Sequence, residues 1–446
     1  MRNEAIAALA SSKTTAGAEK IVALWPKLDA NARRNALDQL AGSKAGAKVA
    51  LAALKDGRLA KTDLDGATFE KLQTVLGPTD PDLAPLVNEL GALFRPVLAL
   101  NGEDNAWSEP NLTLEGAFTV ECWIRLDPGI DNNDGILGVP GQLDINFYDS
   151  KLRVWVGGIN DAIISKKPMT PQVWTHVAVT RDFSGKFKLY QDGELVADQS
   201  KAAPQKFENI RIAWTAPGKG TRGAMSEFRV WRDAKSPDVI RRDFDRSLSR
   251  SPNDLVDTGI RGFEFASNSD GWGKLQAGAK VVKTSDLPPV MTAEEAKAHD
   301  TKYEKFRLLA QAPGDPARGK TSAALCQACH LFKGQGASIG PDLIGVGAMG
   351  IDAILRNILT PNAAMENGYR IYRVELKSGD IVDGFFVSED KDAVVVRLPG
   401  TPDRRIPRPE IRDAKYLRRS LMPEGLLDGM TEQQVIDLFA YLMSLK

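Results

Sequence analysis

Cys326-Gln-Ala-Cys329-His330 is the stretch of this chain whose residue types and spacing most directly specify chemistry. It reads Cys-x-x-Cys-His, the attachment sequence of a c-type haem. Two thiols three positions apart on the first turns of a helix can form thioethers with the two vinyl groups. The adjacent histidine then projects an imidazole nitrogen at the iron from the same side. The same five residues admit two other readings, half of a zinc site or a redox dithiol. Zinc takes about four ligands, and the sequence holds no second cluster of Cys or His. A redox dithiol belongs in a strand-to-helix context, whereas Gly319-Lys-Thr-Ser-Ala-Ala-Leu-Cys326 reads as helix.

The rest of the composition narrows the field. The chain has 446 residues, enough for about three domains. It is 43% hydrophobic and 26% charged, with 58 basic against 58 acidic residues. That balance gives no whole-chain field for nucleic acid or an anionic membrane. No apolar run approaches the roughly 20 residues of a membrane span. Three cysteines, Cys122, Cys326 and Cys329, exclude a disulfide scaffold. Three histidines, His176, His299 and His330, exclude a multi-histidine metal centre. No Ser-His-Asp set, paired-carboxylate motif, phosphate loop or dinucleotide fingerprint stands out, so no catalytic residue is assigned.

The elements around the motif fall into three textures, which together predict a multidomain α+β chain. Residues 1–92 are rich in Ala, Leu and Lys, and Ile21, Leu24, Trp25 and Leu28 follow helical spacing, as do Ala36, Leu37 and Leu40. Short helices separated by Gly, Ser and Asp turns resemble the end of a HEAT-like repeat array, with an ordinary helical bundle as the alternative. Residues 93–286 hold seven of the eight tryptophans and short alternating runs such as Phe118–Arg125, Leu152–Val156 and Trp174–Thr180. Phe187–Tyr190 followed by Asp192-Gly193 is a two-residue hairpin signal. Many strands with glycine-containing turns predict a two-sheet antiparallel sandwich. The Trp174–Val179 strand, the Tyr190–Val196 hairpin and the Gly223–Trp231 strand resemble the laminin-G-like, concanavalin-A-like jelly roll. That resemblance implies a fold, whose members bind sugars, proteins, calcium or nothing known. A Pro-containing stretch then opens an expected linker helix, 287–311, ahead of a third domain, 312–446.

In that third domain His330 is followed by a glycine-rich loop ending in Gly340-Pro341-Asp342-Leu343. This resembles the class I cytochrome c pattern, which implies that the Pro341 carbonyl accepts a hydrogen bond from the second nitrogen of the ligand histidine. The resemblance also implies a methionine or second histidine as sixth ligand. His176 and His299 lie outside the domain core. Among Met349, Met365, Met422, Met430 and Met443, Met422 in Ser420-Leu-Met-Pro-Glu424 is favoured, because class I cytochromes deliver their methionine from a turn before the last helix. Met365 is the runner-up. Between the motif and Met422, alternating runs on either side of Gly379-Asp380 predict a β insertion over about 369–410. The whole order of motif, Gly-Pro-Asp-Leu, helix, strands, Ser-Leu-Met-Pro and final helix resembles the planctomycete-type haem-binding domain. It implies one covalent haem c, held by Cys326, Cys329, His330, Pro341 and Met422 with His330 and Met422 on the iron, and electron transfer with a redox partner protein or dehydrogenase domain. The competing class of function is a carbohydrate-binding or adhesion protein in which haem is accessory. A haem enzyme such as a peroxidase, with an open iron position, is the third.

Weaker features carry smaller expectations. Arg404, Arg405, Arg408, Arg412, Lys415, Arg418 and Arg419 crowd the approach to Met422, as contacts for haem propionates or an acidic partner, or as a solvated face. Asp131-Asn-Asn-Asp134 and Asn160-Asp161 are oxygen-rich loops, candidates for calcium or glycan hydroxyls, although turn chemistry alone explains them. Cys122 reads as a buried free thiol and His176 as structural. Covalent haem attachment in bacteria occurs outside the cytoplasm, so a periplasmic or extracytoplasmic location is expected. The N-terminus has no long apolar signal core, and the chain is therefore expected to be part of a longer exported protein.

Overall fold

The computed structural model describes residues 6, 8–10, 12–28, 30–77, 80–90, 95–104, 108–109, 112–203, 206–215, 218, 220–246, 274–276, 278–284, 286–362, 369–398, 402–417 and 419–445. The chain divides into two compact units, residues 94–296 and residues 1–93 with 297–446. No described helix is long and apolar enough to cross a membrane.

Among the described residues of the 94–296 unit, period-2 alternation makes two seven-stranded antiparallel sheets. One runs Glu194–Ala197, Phe187–Gln191, Thr175–Arg181, Phe118–Leu126, Arg222–Trp231, Arg95–Asn101, Ala279–Thr284. The other runs Lys274–Leu275, Ser108–Glu109, Arg211–Ile212, Gly135–Val139, Leu143–Tyr148, Lys151–Val156, Asn160–Pro168. Val120, Cys122 and Ile124 of the first meet Leu137, Ile145 and Val154 of the second in one apolar core. The expected hairpin is present, with Asp192 and Gly193 at φ 53° and 79°. That left-handed pair matches the strand twist of a two-residue turn.

The other unit begins with helices Thr15–Leu24, Ala30–Ala41, Lys44–Lys55 and Gly66–Leu76. Thr14, Ser43 and Asp65 cap three of them by accepting from backbone N–H groups, each cap worth about 1 kcal/mol. Helices Ala293–Gln311, Pro316–Ser322, Ile351–Leu359 and Glu432–Ser444 follow the sandwich. Phe306 and Ala310 of the first share a core with Leu355, Val435, Leu438 and Phe439. The helix expected as a linker is thus, over its second half, a wall of the C-terminal core. Its many charged residues hid those two buried positions.

The expected β insertion is a five-stranded sheet, ordered Arg404–Pro407, Ala393–Arg397, Ile381–Glu389, Tyr372–Leu376, Ile411–Tyr416. It extends past the expected limit near 410, because Ile411–Tyr416 pairs with Tyr372–Leu376. The N-terminal helices are bonded to this sheet: Ile381 N–H donates to Gly42 O at 2.9 Å, and Arg373 reaches Glu70 at 2.7 Å. Two segments that sequence texture separates into domains are therefore one body.

Candidate functional site

Cys326 lies in the short helix Ala324–Gln327. The turn continues through the motif, with Cys329 N–H donating to Cys326 O at 3.1 Å and His330 N–H to the same carbonyl at 2.9 Å. Both thiols are unpaired. Burial pushes Cys326 up to about 11, with Cys329 beside it adding to the shift. Burial also raises Cys329. Both are therefore neutral thiols near pH 7, unlike the low-pKa cysteine of a redox dithiol. Among the described residues no three His, Cys, Asp or Glu side chains converge as a metal cluster.

The loop after His330 folds back on the motif. Ile339 and Gly340 N–H both donate to Cys329 O, at 3.0 and 2.7 Å, and Leu343 N–H donates to Leu331 O at 2.9 Å. This return brings Pro341 O to 2.8 Å from His330 Nδ1. A carbonyl oxygen only accepts, so Nδ1 is the donor, and in the neutral ring this tautomer places the lone pair on Nε2. Gly340 is required for this closeness, since a Cβ there would lie 2.5 Å from His330 Cε1. The donor set is thus two neutral thiols and an imidazole oriented by a carbonyl, which fits a covalently attached haem. Three large apolar side chains of the same region, Leu325, Ile344 and Met349, are exposed.

Met422 is half-buried in the turn before the last helix. Its N–H donates to Ser420 Oγ at 3.0 Å, and Ser420 N–H to Asn362 Oδ1 at 2.8 Å. This bonding set is separate from the one that joins His330 to Pro341. Met430 and Met443 pack against the helical core, and Met365 lies outside the described residues.

The basic run approaching Met422 is largely neutralised. Arg405 pairs with Asp390, Arg408 with Glu389, Arg412 and Lys415 with Glu375, and Arg419 with Asp38. These pairs reduce the net charge that the run presents, and Arg418 lies outside the described residues. Sequence reading missed Asp38, the partner of Arg419, because it lies 381 positions upstream and no local signal marks it.

In the sandwich, both oxygens of Asp134 accept backbone N–H groups, from Asp131 and Arg222 at 3.0 Å each. The first bond is turn chemistry, and the second ties the turn to the strand Arg222–Trp231. Asp161 pairs with Arg153 at 3.2 Å. The sheet register sets Asp144, Trp155 and Asp161 side by side on three adjacent strands. Burial pushes Asp144 up to about 6, against the pull of Arg153. His176 is buried 3.4 Å from Glu121, and burial lowers its pKa more than Glu121 raises it. Its setting is structural.

The sequence profile of the concanavalin A-like lectin/glucanases superfamily matches residues 101–241. Those residues form a concanavalin A-like jelly-roll domain, and the match ends before the Cys-x-x-Cys-His motif. No curated protein matches the chain. A candidate carbohydrate-binding protein from Bacteroides ovatus is 20% identical over 44% of this chain and 60% of its own, with a TM-score of 0.33. This chain therefore spans less than two thirds of that protein. A heptameric SAP-like pentraxin from Limulus polyphemus is 14% identical over 44% of this chain and 99% of its own, TM-score 0.33. Domain 4 of an extracellular GH43 arabinanase from Geobacillus stearothermophilus, solved with arabinotriose, is 15% identical over 33% and 86%, TM-score 0.27.

Proposed function

We propose that the unit containing residues 297–446 carries one covalent haem c and works in electron transfer, taking an electron from a dehydrogenase domain or partner protein and passing it on. One observation carries this reading: His330 Nδ1 donates to Pro341 O at 2.8 Å, which leaves Nε2 free to bind a metal beside two unpaired thiols. Cys326 and Cys329 would hold the group through thioethers, and His330 and Met422 would be its protein ligands. When bound, the haem supplies a one-electron ferric/ferrous couple, and two protein ligands suit that couple better than oxygen chemistry. The chain's own part is to orient His330 through Pro341 and to deliver Met422 from a turn pinned by Ser420 and Asn362.

In this reading the protein matures outside the cytoplasm, and the HEAT-like likeness of residues 1–92 fits the layout of larger exported proteins that such domains end. Mass spectrometry of protein made with haem-maturation machinery tests it. A mass increase of one haem, abolished by the double change Cys326→Ser and Cys329→Ser, is expected. Mature protein without added tetrapyrrole overturns the reading.

A second reading makes the sandwich primary, as a saccharide-binding module. The comparisons bear on the sandwich alone and favour this reading over the first. The row Asp144, Trp155 and Asp161 gives it a location, since an aromatic face flanked by acceptors about 5 Å away on each side suits a sugar ring and its hydroxyls. Binding on a glycan array that persists without the two motif cysteines and falls in Trp155→Ala supports it. Retention of no glycan by the wild-type protein removes it.

A further inference from the structure

We propose that the N-terminal helices clamp the turn that carries Met422, with Arg419 as the positioning residue and Asp38 as its anchor. This rests on the haem reading above. Arg419 Nη1 lies 3.0 Å from Asp38 Oδ1, 381 positions away in sequence. Asp38 also receives Lys71 at 3.2 Å. Lys71 reaches Asp383 at 3.1 Å, Asp383 is gripped by Arg373 at 2.8 Å, and Arg373 reaches Glu70 at 2.7 Å. The result is an alternating chain of three cations and three anions that runs from Glu70 on the helices to Arg373 and Asp383 in the sheet, back to Lys71 and Asp38 on the helices, and on to Arg419 before Met422.

Four of its six members are largely hidden from solvent, the side chain of Arg373 being 1% exposed, Lys71 5%, Asp383 12% and Asp38 17%, while Arg419 and Glu70 at its two ends are 28% exposed. Burying so many charges carries a desolvation cost that pairing must offset, and apolar residues of similar size would hold the same faces together at least as well. What such a network adds is one fixed arrangement of its parts. Here the part fixed is the root of the Met422 turn. The backbone of Arg419 is also pinned, its carbonyl accepting Ile371 N–H at 3.0 Å while Leu417 N–H donates to Ile371 O at 2.8 Å. Ser420 and Met422 then follow through their own bonds. The thioether is a neutral soft donor on a flexible side chain, so its hold on a metal depends on how little slack its backbone has.

The test uses the full-length, haem-loaded protein. Asp38→Asn and Arg419→Gln are each expected to lose at least half of the near-infrared sulfur-to-iron band and to bind carbon monoxide in the ferrous state, with covalent haem content and far-ultraviolet dichroism unchanged. Arg419→Lys is expected to restore most of the band. Arg419→Gln keeps the Asp38–Lys71 pair, so it reports even where Asp38→Asn does not fold. A Met422-dependent band left intact by Arg419→Gln overturns the clamp alone. Wild-type protein without haem overturns the clamp together with the haem reading, and the two failures are told apart by mass.

Discussion

Arg373 and Asp383 stand directly opposite each other on neighbouring antiparallel strands and share two hydrogen bonds, of 2.8 and 3.0 Å. The planar guanidinium meets the carboxylate with both prongs, the strongest geometry an ion pair of this kind takes. Behind the pair stand Glu70 and Lys71 of the N-terminal helices, so a cross-strand contact is also the join between the first and last parts of the chain.

Breaking that join has a calculable sign. Burial alone raises Asp383, but Lys71 and Arg373 outweigh it and hold the carboxyl well below its usual range. Asp38 is lowered in the same way, burial being outweighed by Lys71 and Arg419. A lowered folded pKa gives stability that is present above the unfolded value near 4 and lost as pH falls through the folded one. Urea melts of the full chain should weaken progressively below about pH 4. Asp383→Asn should cost about 3–5 kcal/mol at pH 7, since it leaves two buried cations with one acceptor fewer. A loss under 1 kcal/mol would show that the network is not a unit.

Gly340→Ala is expected to push His330 away from Pro341, because the new methyl would lie within 3 Å of three ring atoms. Overpacking of this kind costs about 1–3 kcal/mol. Under the haem reading the yield of covalently loaded protein should fall several-fold, as measured by pyridine haemochrome per polypeptide. Normal loading would mean that the loop shifts without consequence.

Asp144 gives a prediction of opposite sign. Its folded pKa, about 6, lies above the usual carboxylate value. Its contribution to the stability of the sandwich is therefore fully present below about pH 4 and is lost between about pH 4 and 6 as the half-buried carboxyl ionises. Asp144→Asn should stabilise the sandwich by about 1–2 kcal/mol at pH 7 while reducing any saccharide affinity of this face. Carboxyl NMR titration of the wild type reads the pKa directly, and a value near 4 would cancel both expectations.

The three thiols should react in a fixed order in unloaded protein. Cys329 and Cys326 are half-buried with raised pKa values, Cys326 at about 11, and Cys122 is wholly buried in the sandwich core. Iodoacetamide at pH 7.5 should therefore label Cys329 first, Cys326 more slowly, and Cys122 only on unfolding. Rapid labelling of both motif cysteines would indicate low-pKa thiolates and reopen the redox-dithiol reading.

Short-range spacing determined much of this. Alternation along Phe118–Leu126 and the Asp192-Gly193 turn declared the sandwich, because strand faces and left-handed turn residues are properties of neighbours in sequence. The Cys-x-x-Cys-His motif was legible for the same reason, since a helical turn brings residues three and four apart to one side. What the tertiary structure alone decided was which distant charges meet. Asp38, Glu70 and Lys71 look like ordinary polar positions of surface helices, and the arginines before Met422 look like an open basic patch. Folding brings Asp38 to Arg419 and Glu70 to Arg373 across more than 300 positions, and no periodicity records such a pairing. The same closure turns the two ends of the chain into one body and leaves the sandwich between them in sequence as a separate unit.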